Sequence, residues 1–467
     1  MAYFYGFPLV FNLDQVTRFV TTGVGSNPQA PFNQFSHSRS LAGPQDTFVT
    51  INNDTVYSMA QLDLSVGPIR LRVPDTDGRY YVLQFVDAWT NNLGYIGHRA
   101  TGTAAGDYLL VPSGWSGSAE TATVIHVPTR IASIVGRWAC AGADDLPTVH
   151  AVQDAAELQP LDADATASGL PEIDPDVPAD LVFFEKLRAW SQALLPAARD
   201  LPVQESLADT GITETGESPY ANPDAEFATG LRDGRRDGET TLEQVLASGG
   251  SSPIVNGLKL TMHVFDYNLE FFEVGALDDP DFKLDDPKVR YVERAAAASG
   301  GLWANHAYEA VYIMTYVDDQ GEQLNGSRTY TLRLDPPPPI RAFWSLTMYD
   351  VPNFYLIANE IDRYSIVLRD WSCCGGGVRL VDVDRRLTAS VGRLDGNGEA
   401  LIARSFEVIE SRPVAGKIGR LEDLHLDGWP PGSRIRAGYP NAAPQPCWTS
   451  TPCTLPPSQR PFRPFSW

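Results

Sequence analysis

Three clusters of side chains in this 467-residue chain combine residue types able to do acid–base or recognition chemistry. The first is Asn52-Asn53-Asp54-Thr55-Val56-Tyr57. In an extended backbone Asn53, Thr55 and Tyr57 share one face, while Asn52 and Asp54 share the other. Asp54 could then act as a general base, with Asn53 and Tyr57 orienting a substrate. The competing interpretation is a turn whose Asn and Asp side chains bond their own backbone. The second cluster, Asp87-Ala88-Trp89-Thr90-Asn91-Asn92, ends an apolar run. Trp89 offers either a stacking wall for a ring or a core indole whose N–H meets a buried carbonyl. The third is Asn305-His306-Ala307-Tyr308-Glu309. A His306/Glu309 pair suits proton transfer near neutral pH, with Asn305 orienting the substrate. A helical backbone puts the pair on one face, an extended one splits it, and a lone histidine is more often structural.

Two further groups would complete a site. Trp344, Ser345, Thr347 and Tyr349 interleave with Phe343, Leu346 and Met348, which implies a strand with one polar-aromatic face turned to solvent or to a pocket. Arg363 could clamp a carboxylate or simply lie on the surface. Sharp motifs are lacking: there is no nucleotide-binding P-loop, dinucleotide glycine fingerprint, Gly-x-Ser-x-Gly elbow or His-Glu-x-x-His. Cys140, Cys373, Cys374, Cys447 and Cys453 form neither a disulfide framework nor a zinc spacing. No metal ligand set and no nucleotide or flavin motif is read, so the cofactor stays unknown and a divalent metal stays open.

The elements that must position these groups are mainly β. Gly (39) and Pro (36) are abundant, favouring turns and short strands over long helices. A helix is expected over 3–24, with Asn12 or Asp14 as a cap. Strands are expected at Phe48–Ile51, Thr55–Leu64, Ile69–Val73, Tyr80–Val86, Tyr108–Val111 and Thr123–Val127. Helical spacing marks Val149–Leu158 and Leu181–Ala197, Thr210 to Asp224 reads as a loop, and Glu226–Leu246 holds one or two helices, with the polar run 232–238 solvated. Asp286 caps a helix that takes Pro287 first and stops at Gly300-Gly301. A hairpin is expected from Ala310–Val317 to Thr329–Leu334, then a stiff Pro336–Pro339 connector, then strands over 341–350 and 354–358.

With those residues in view, the chain resembles two bacterial families of unknown function. Asn52 to Tyr57, Gly78-Arg79-Tyr80-Tyr81, Asp87 to Asn91 and Gly102 to Tyr108 are similar to family 1254; Gly301 to Glu309, Ala342 to Asp350 and Asn359 to Ile366 are similar to its usual C-terminal partner, family 1214. The resemblance implies an immunoglobulin-like β-sandwich and a jelly-roll-like C-terminal β domain around a helical insert, an α+β chain that is mainly β. It implies no activity and transfers no catalytic residue. The expected division is an N-terminal helix (1–29), the immunoglobulin-like domain (30–146), a mainly helical segment (147–255) and the jelly-roll-like domain (256–467). After Ile366 the chain leaves the family's pattern, as an altered reading frame over part of 367–453 would produce; gene sequencing tests this.

A net charge of −22 argues against nucleic acid as a partner. No leader or spanning apolar run is read, so the expectation is a cytoplasmic protein without a membrane partner, with a homo-oligomer left open. The leading expectation is a small-molecule enzyme, of hydrolase or lyase type, with its pocket between two β domains. The alternatives are a non-catalytic protein binding carbohydrate or another polar ligand, and a structural oligomeric β protein.

Overall fold

A computed structural model describes residues 1–119 and 121–248, and beyond them 250, 252, 254–255, 258–261, 273–277, 284, 286–325, 329–332, 342–351, 353–359, 362–367, 400–407 and 435–438. The fold is α+β and mostly β. In the N-terminal half, five antiparallel strands run in the order β1 (Phe35–His37), β2 (Thr55–Asp63), β8 (Ile131–Ala139), β4 (Tyr81–Asp87) and β5 (Asn92–Gly97). A second sheet runs β7 (Thr123–Val127), β6 (Gly106–Pro112), β3 (Ile69–Val73) and β9 (Glu157–Pro160), with β6 and β7 parallel. Alternation along the strands decides what each face meets. Val56, Ala60, Leu62, Phe85 and Ile134 join the second sheet's Ile69, Leu71 and Leu110 in one core. Their neighbours Met59, Val86 and Val135 point the other way and pack with Phe19, Leu302 and Trp303. The five-stranded sheet is therefore buried on both faces, which explains its nearly continuous apolar runs.

Helices form a third layer. α1 (Ala2–Thr21) packs with α3 (Val182–Ala193), α5 (Ala225–Ser248) and α6 (Pro287–Gly301) around Tyr5, Leu9, Leu13, Phe184 and Leu187. α2 (Leu146–Asp154) and α4 (Leu201–Ser206) are shorter. α1 begins at Ala2 with no side-chain cap. Its stability comes from burial of its apolar faces. Asn12, expected as a cap, instead donates to the carbonyls of Asp87 and Ala88 and accepts from the Trp303 indole at 2.7 Å. The polar run 232–238 lies inside α5, and a Cβ at Gly238 would meet Tyr3 at 2.6 Å, so that glycine lets α5 approach α1. α6 starts as its sequence dictates, Asp286 accepting from the Lys288 N–H at 2.8 Å.

The C-terminal sheet runs β10 (Ile254–Val255), β11 (Leu258–Thr261), β12 (Ala310–Thr315), β16 (Ala400–Glu407), β14 (Phe343–Asp350) and β15 (Ser365–Val367), and β13 (Thr329–Leu332) pairs with β17 (Ile435–Gly438). Four local expectations are corrected here. The hairpin from Ala310 forms only around its turn, where Val317 bridges Gln323 and the Leu324 N–H reaches the Tyr316 carbonyl at 2.7 Å; beyond it β12 takes β11 and β16 as neighbours and β13 takes β17. Pairing with distant strands won over pairing with the next one. Residues 48–51 and 354–358 are loops, bound to each other by Thr50 N–H to the Phe354 carbonyl at 2.8 Å. The helix expected over 149–158 stops at Asp154, because Glu157–Pro160 is recruited as an edge strand beside β3. The proline connector 336–339, the Cys373-Cys374 segment and most of 367–453, where the reading frame was questioned, lie outside the described residues.

One buried polar group on this frame makes stability depend on pH. Ser58 Oγ accepts from the Trp138 indole at 2.8 Å and from Gln153 Nε2 at 3.1 Å, so its own proton goes to His37 Nδ1 at 2.7 Å. That bond needs a neutral imidazole. Burial, then the Arg39 charge, push the His37 pKa from 6.5 down to about 4, with Asp154 opposing. The fold thus favours neutral His37: its contribution is complete above pH 6.5 and is lost as pH falls toward about 4. Urea unfolding of the wild type should therefore lose stability between those values, and His37→Asn should flatten that part of the profile. An unchanged slope in the variant refutes the assignment.

Candidate functional site: a cavity between the β layers

The chemistry of the interior follows from strand register. Tyr57 on β2 stands directly opposite Arg137 on β8, both on the sheet face turned away from the sandwich core. The Arg137 guanidinium lies 5.6 Å from the Tyr57 ring centre. It donates to Gln84 Oε1 at 3.0 Å, to the Trp303 carbonyl at 2.9 Å and to Asn305 Oδ1 at 3.4 Å. A single side chain thereby ties the first sheet to the segment that follows α6. At 7% exposure this cation is almost wholly withdrawn from water.

Beside it lies a cavity of about 150 Å³, similar to engineered apolar cavities that admit a benzene-sized molecule. Tyr57, Met59, Val135 and Arg137 form the first-sheet wall. Loop residues Thr50, Ile51 and Asn52 close one side, and Glu293, Ala297 and Trp303 on and after α6 close another. Lys259, Tyr312, Met314, Thr347 and Tyr349 come from the C-terminal sheet. Three wall residues, Thr50, Trp303 and Phe354, hold positive φ angles of 48°, 62° and 58°. For β-branched and aromatic residues that costs on the order of 1–3 kcal/mol each. Local bonds hold them: Thr50 through Phe354 and the Gly300 carbonyl, Trp303 through Asn12 and Arg137. Strain kept by tertiary contacts at a cavity wall marks a shaped site.

The residues singled out from the sequence divide into two sets. Tyr57 and Tyr349 border the cavity. The Tyr349 hydroxyl donates to the carbonyls of Ile51 at 3.0 Å and Thr50 at 3.3 Å, which pins the loop. Burial raises its pKa well above 10.0, so it stays a neutral donor. Asn53, Asp54, Trp89, Asn305, His306, Glu309, Trp344 and Arg363 are not among the residues that border it. Asp54 accepts from Ser365 Oγ at 2.9 Å, and Asn53 donates to the Ala42 carbonyl. Asn52, bordering the cavity, also builds the turn, its Oδ1 accepting from the N–H groups of Asp54 and Thr55. Trp89 belongs to the helical core and donates to the Leu194 carbonyl at 2.7 Å. Asp87 holds the adjoining turn, accepting from the N–H groups of Trp89 and Asn91; burial raises its pKa and those bonds oppose the rise.

Glu309 is paired with the Arg99 guanidinium and accepts from the Tyr80 hydroxyl at 3.2 Å. His306 is buried and stacks on Tyr308 at 4.9 Å between ring centres. Residues 306–310 form a turn, the Glu309 and Ala310 N–H groups both bonding to the His306 carbonyl. Trp344 is buried on β14, and Arg363 donates to the Ser365 carbonyl at 3.4 Å. Among the described residues no group of three or more His, Cys, Asp and Glu side chains gathers as a metal site would.

Sequence reasoning missed the two cations of the wall. Arg137 carried a usable signal, a charge inside the apolar run Ile131–Ala139. Lys259, in Leu258-Lys259-Leu260, reads as ordinary alternation. Burial lowers its pKa from 10.5, with the Glu293 charge opposing.

Comparison with known proteins adds fold but no activity. The crystal structure of the VPA0106 protein from Vibrio parahaemolyticus is similar at a TM-score of 0.62 and 18% identity, covering 94% of this chain and 98% of that one. The likeness supports a shared fold alone. An uncharacterised Burkholderia cenocepacia protein gives a TM-score of 0.37 at 10% identity, covering 93% of this chain and 87% of its own, which carries no argument. No curated protein matches the chain. Among the described residues no helix is long and apolar enough to cross a membrane. Residues 32–160 match the model of the family described as protein of unknown function (DUF1254), and residues 309–373 match that of the protein of unknown function (DUF1214), in that order along the chain.

Proposed function

We propose that this protein binds a small organic anion with an apolar, ring-sized body in the cavity between its β layers. The observation that carries the reading is the composition of the wall. Two cationic residues, Arg137 and Lys259, border a space otherwise lined largely by apolar and aromatic side chains, with Glu293 the one carboxylate among its described residues. A carboxylate would meet the cations, and the ring would lie against Met59, Val135 and Trp303. Tyr57 and Tyr349 supply hydroxyls beside that space. The hydrolase or lyase chemistry expected from Asp54, His306 and Glu309 is less well supported, since these groups do not border the cavity and Glu309 serves a buried ion pair. The two facing sheets of the N-terminal half support an immunoglobulin-like description, and among the described residues the six-stranded sheet and the β13–β17 pair give less support to a jelly roll.

Calorimetric titration tests this. Benzoate and alkyl carboxylates of similar size should bind, the corresponding neutral amides at least tenfold more weakly, and Lys259→Met should weaken the acid by roughly tenfold, about 1.4 kcal/mol. Ala297→Phe, which fills the space from α6, should abolish binding while the protein stays folded. Amides binding as well as acids would refute the reading. Glu309→Gln should leave that affinity unchanged but cost stability, about 3 kcal/mol or more by denaturant titration, because a buried Arg99 loses its counter-charge. A fully stable variant with lost ligand binding would instead return Glu309 to the site.

A further inference from the structure

Lys259 does more in this wall than add charge. Register places it opposite Met314 on β12, and directly opposed residues share a sheet face. Met314 and Tyr312, two positions apart on that strand, both border the cavity, as Lys259 itself does. Its side chain therefore leaves the C-terminal sheet on the face that borders the cavity, whose opposite wall includes Arg137.

We infer that Lys259 is a nucleophile that forms an imine with a 2-oxo acid bearing an apolar substituent, held by its carboxylate at Arg137. This deepens the anion-binding reading and rests on it. The chemistry balances without a cofactor. The neutral amine nitrogen attacks the ketone carbon, and a nitrogen proton passes to the former carbonyl oxygen to give a carbinolamine. The C–O bond then breaks, water leaves, and the nitrogen, having lost its second proton, completes the C=N bond. Two features of the site favour this path. Burial disfavours the ammonium form of Lys259, and so enlarges the reactive fraction. Glu293, which also borders the cavity, can take and return the proton that the dehydration moves. A cavity of about 150 Å³ has room for a substituent of roughly ring size.

The chain offers a clean test because it has only five lysines, Lys186, Lys259, Lys283, Lys288 and Lys417. The full-length protein is incubated with phenylglyoxylate, any imine is reduced with borohydride to a stable secondary amine, and peptides are mapped by mass. The expected result is modification at Lys259 at least tenfold above every other lysine, competed away by benzoate. Lys259→Arg should abolish the adduct at this site, with the circular dichroism of the variant matching that of the wild type. Equal labelling of Lys186, Lys288 and Lys259 overturns the inference. Phenylglyoxylate that stabilises the protein yet leaves no adduct also overturns it, and leaves the anion cavity standing. If neither phenylglyoxylate nor benzoate binds, the anion reading falls and the imine with it.

Discussion

The buried guanidinium of Arg137 is the constraint on which the rest of the arrangement depends. Taking a cation out of water is costly unless its donors are met by well-placed acceptors. Those acceptors come from Gln84 on β4, from the Trp303 carbonyl and from Asn305, so the first sheet is held in register with a segment 166 positions away. Trp303 in turn keeps its positive φ and reaches Asn12 on α1. One side chain thus couples a sheet, a helix and the loop that enters the C-terminal sheet. The cavity is the space left where these three meet.

The other polar clusters work in the same way at smaller scale. Asp46 gathers Ser26 and Gly43, Asp87 closes the turn that aims Trp89 into the helices, and Glu309 pairs with Arg99 between the two halves. Each satisfies buried donors that would otherwise weaken the fold. Residue types suited to catalysis are therefore used here largely as joints. This explains why clusters so conspicuous in the sequence supply little of the cavity wall.

Much of the local architecture was legible. The Asp286-Pro287 start of α6, the strands at 55–63, 69–73, 81–87 and 123–127 and the turn at Asp318 follow from capping, alternation and turn chemistry. The resemblance drawn from separate motifs matched the families found at 32–160 and 309–373. Part of the remainder was local, since β5 and β8 were not read as strands and 48–51 and 354–358 are loops; much of the rest was non-local. Nothing in residues 310–334 says that β12 will sit between β11 and β16, and nothing in 157–160 says that these residues will edge a sheet. Of the candidate site, Tyr57 and Tyr349 were named from their patterns, whereas Lys259 looked like any alternating strand residue.

The sequence by itself determined many of the helical and extended segments, which faces are apolar and where the polar clusters fall, because those depend on spacing along a single backbone. Only the tertiary structure decided what each polar group faces. Asp54 and Glu309 acquired partners hundreds of positions away, and Arg137 and Lys259 came to border one space, through strand pairings that no local pattern encodes. Charge, strand propensity and turn chemistry are properties of short stretches. A binding wall is a property of sheets brought together by burial, and its composition appears only when they meet.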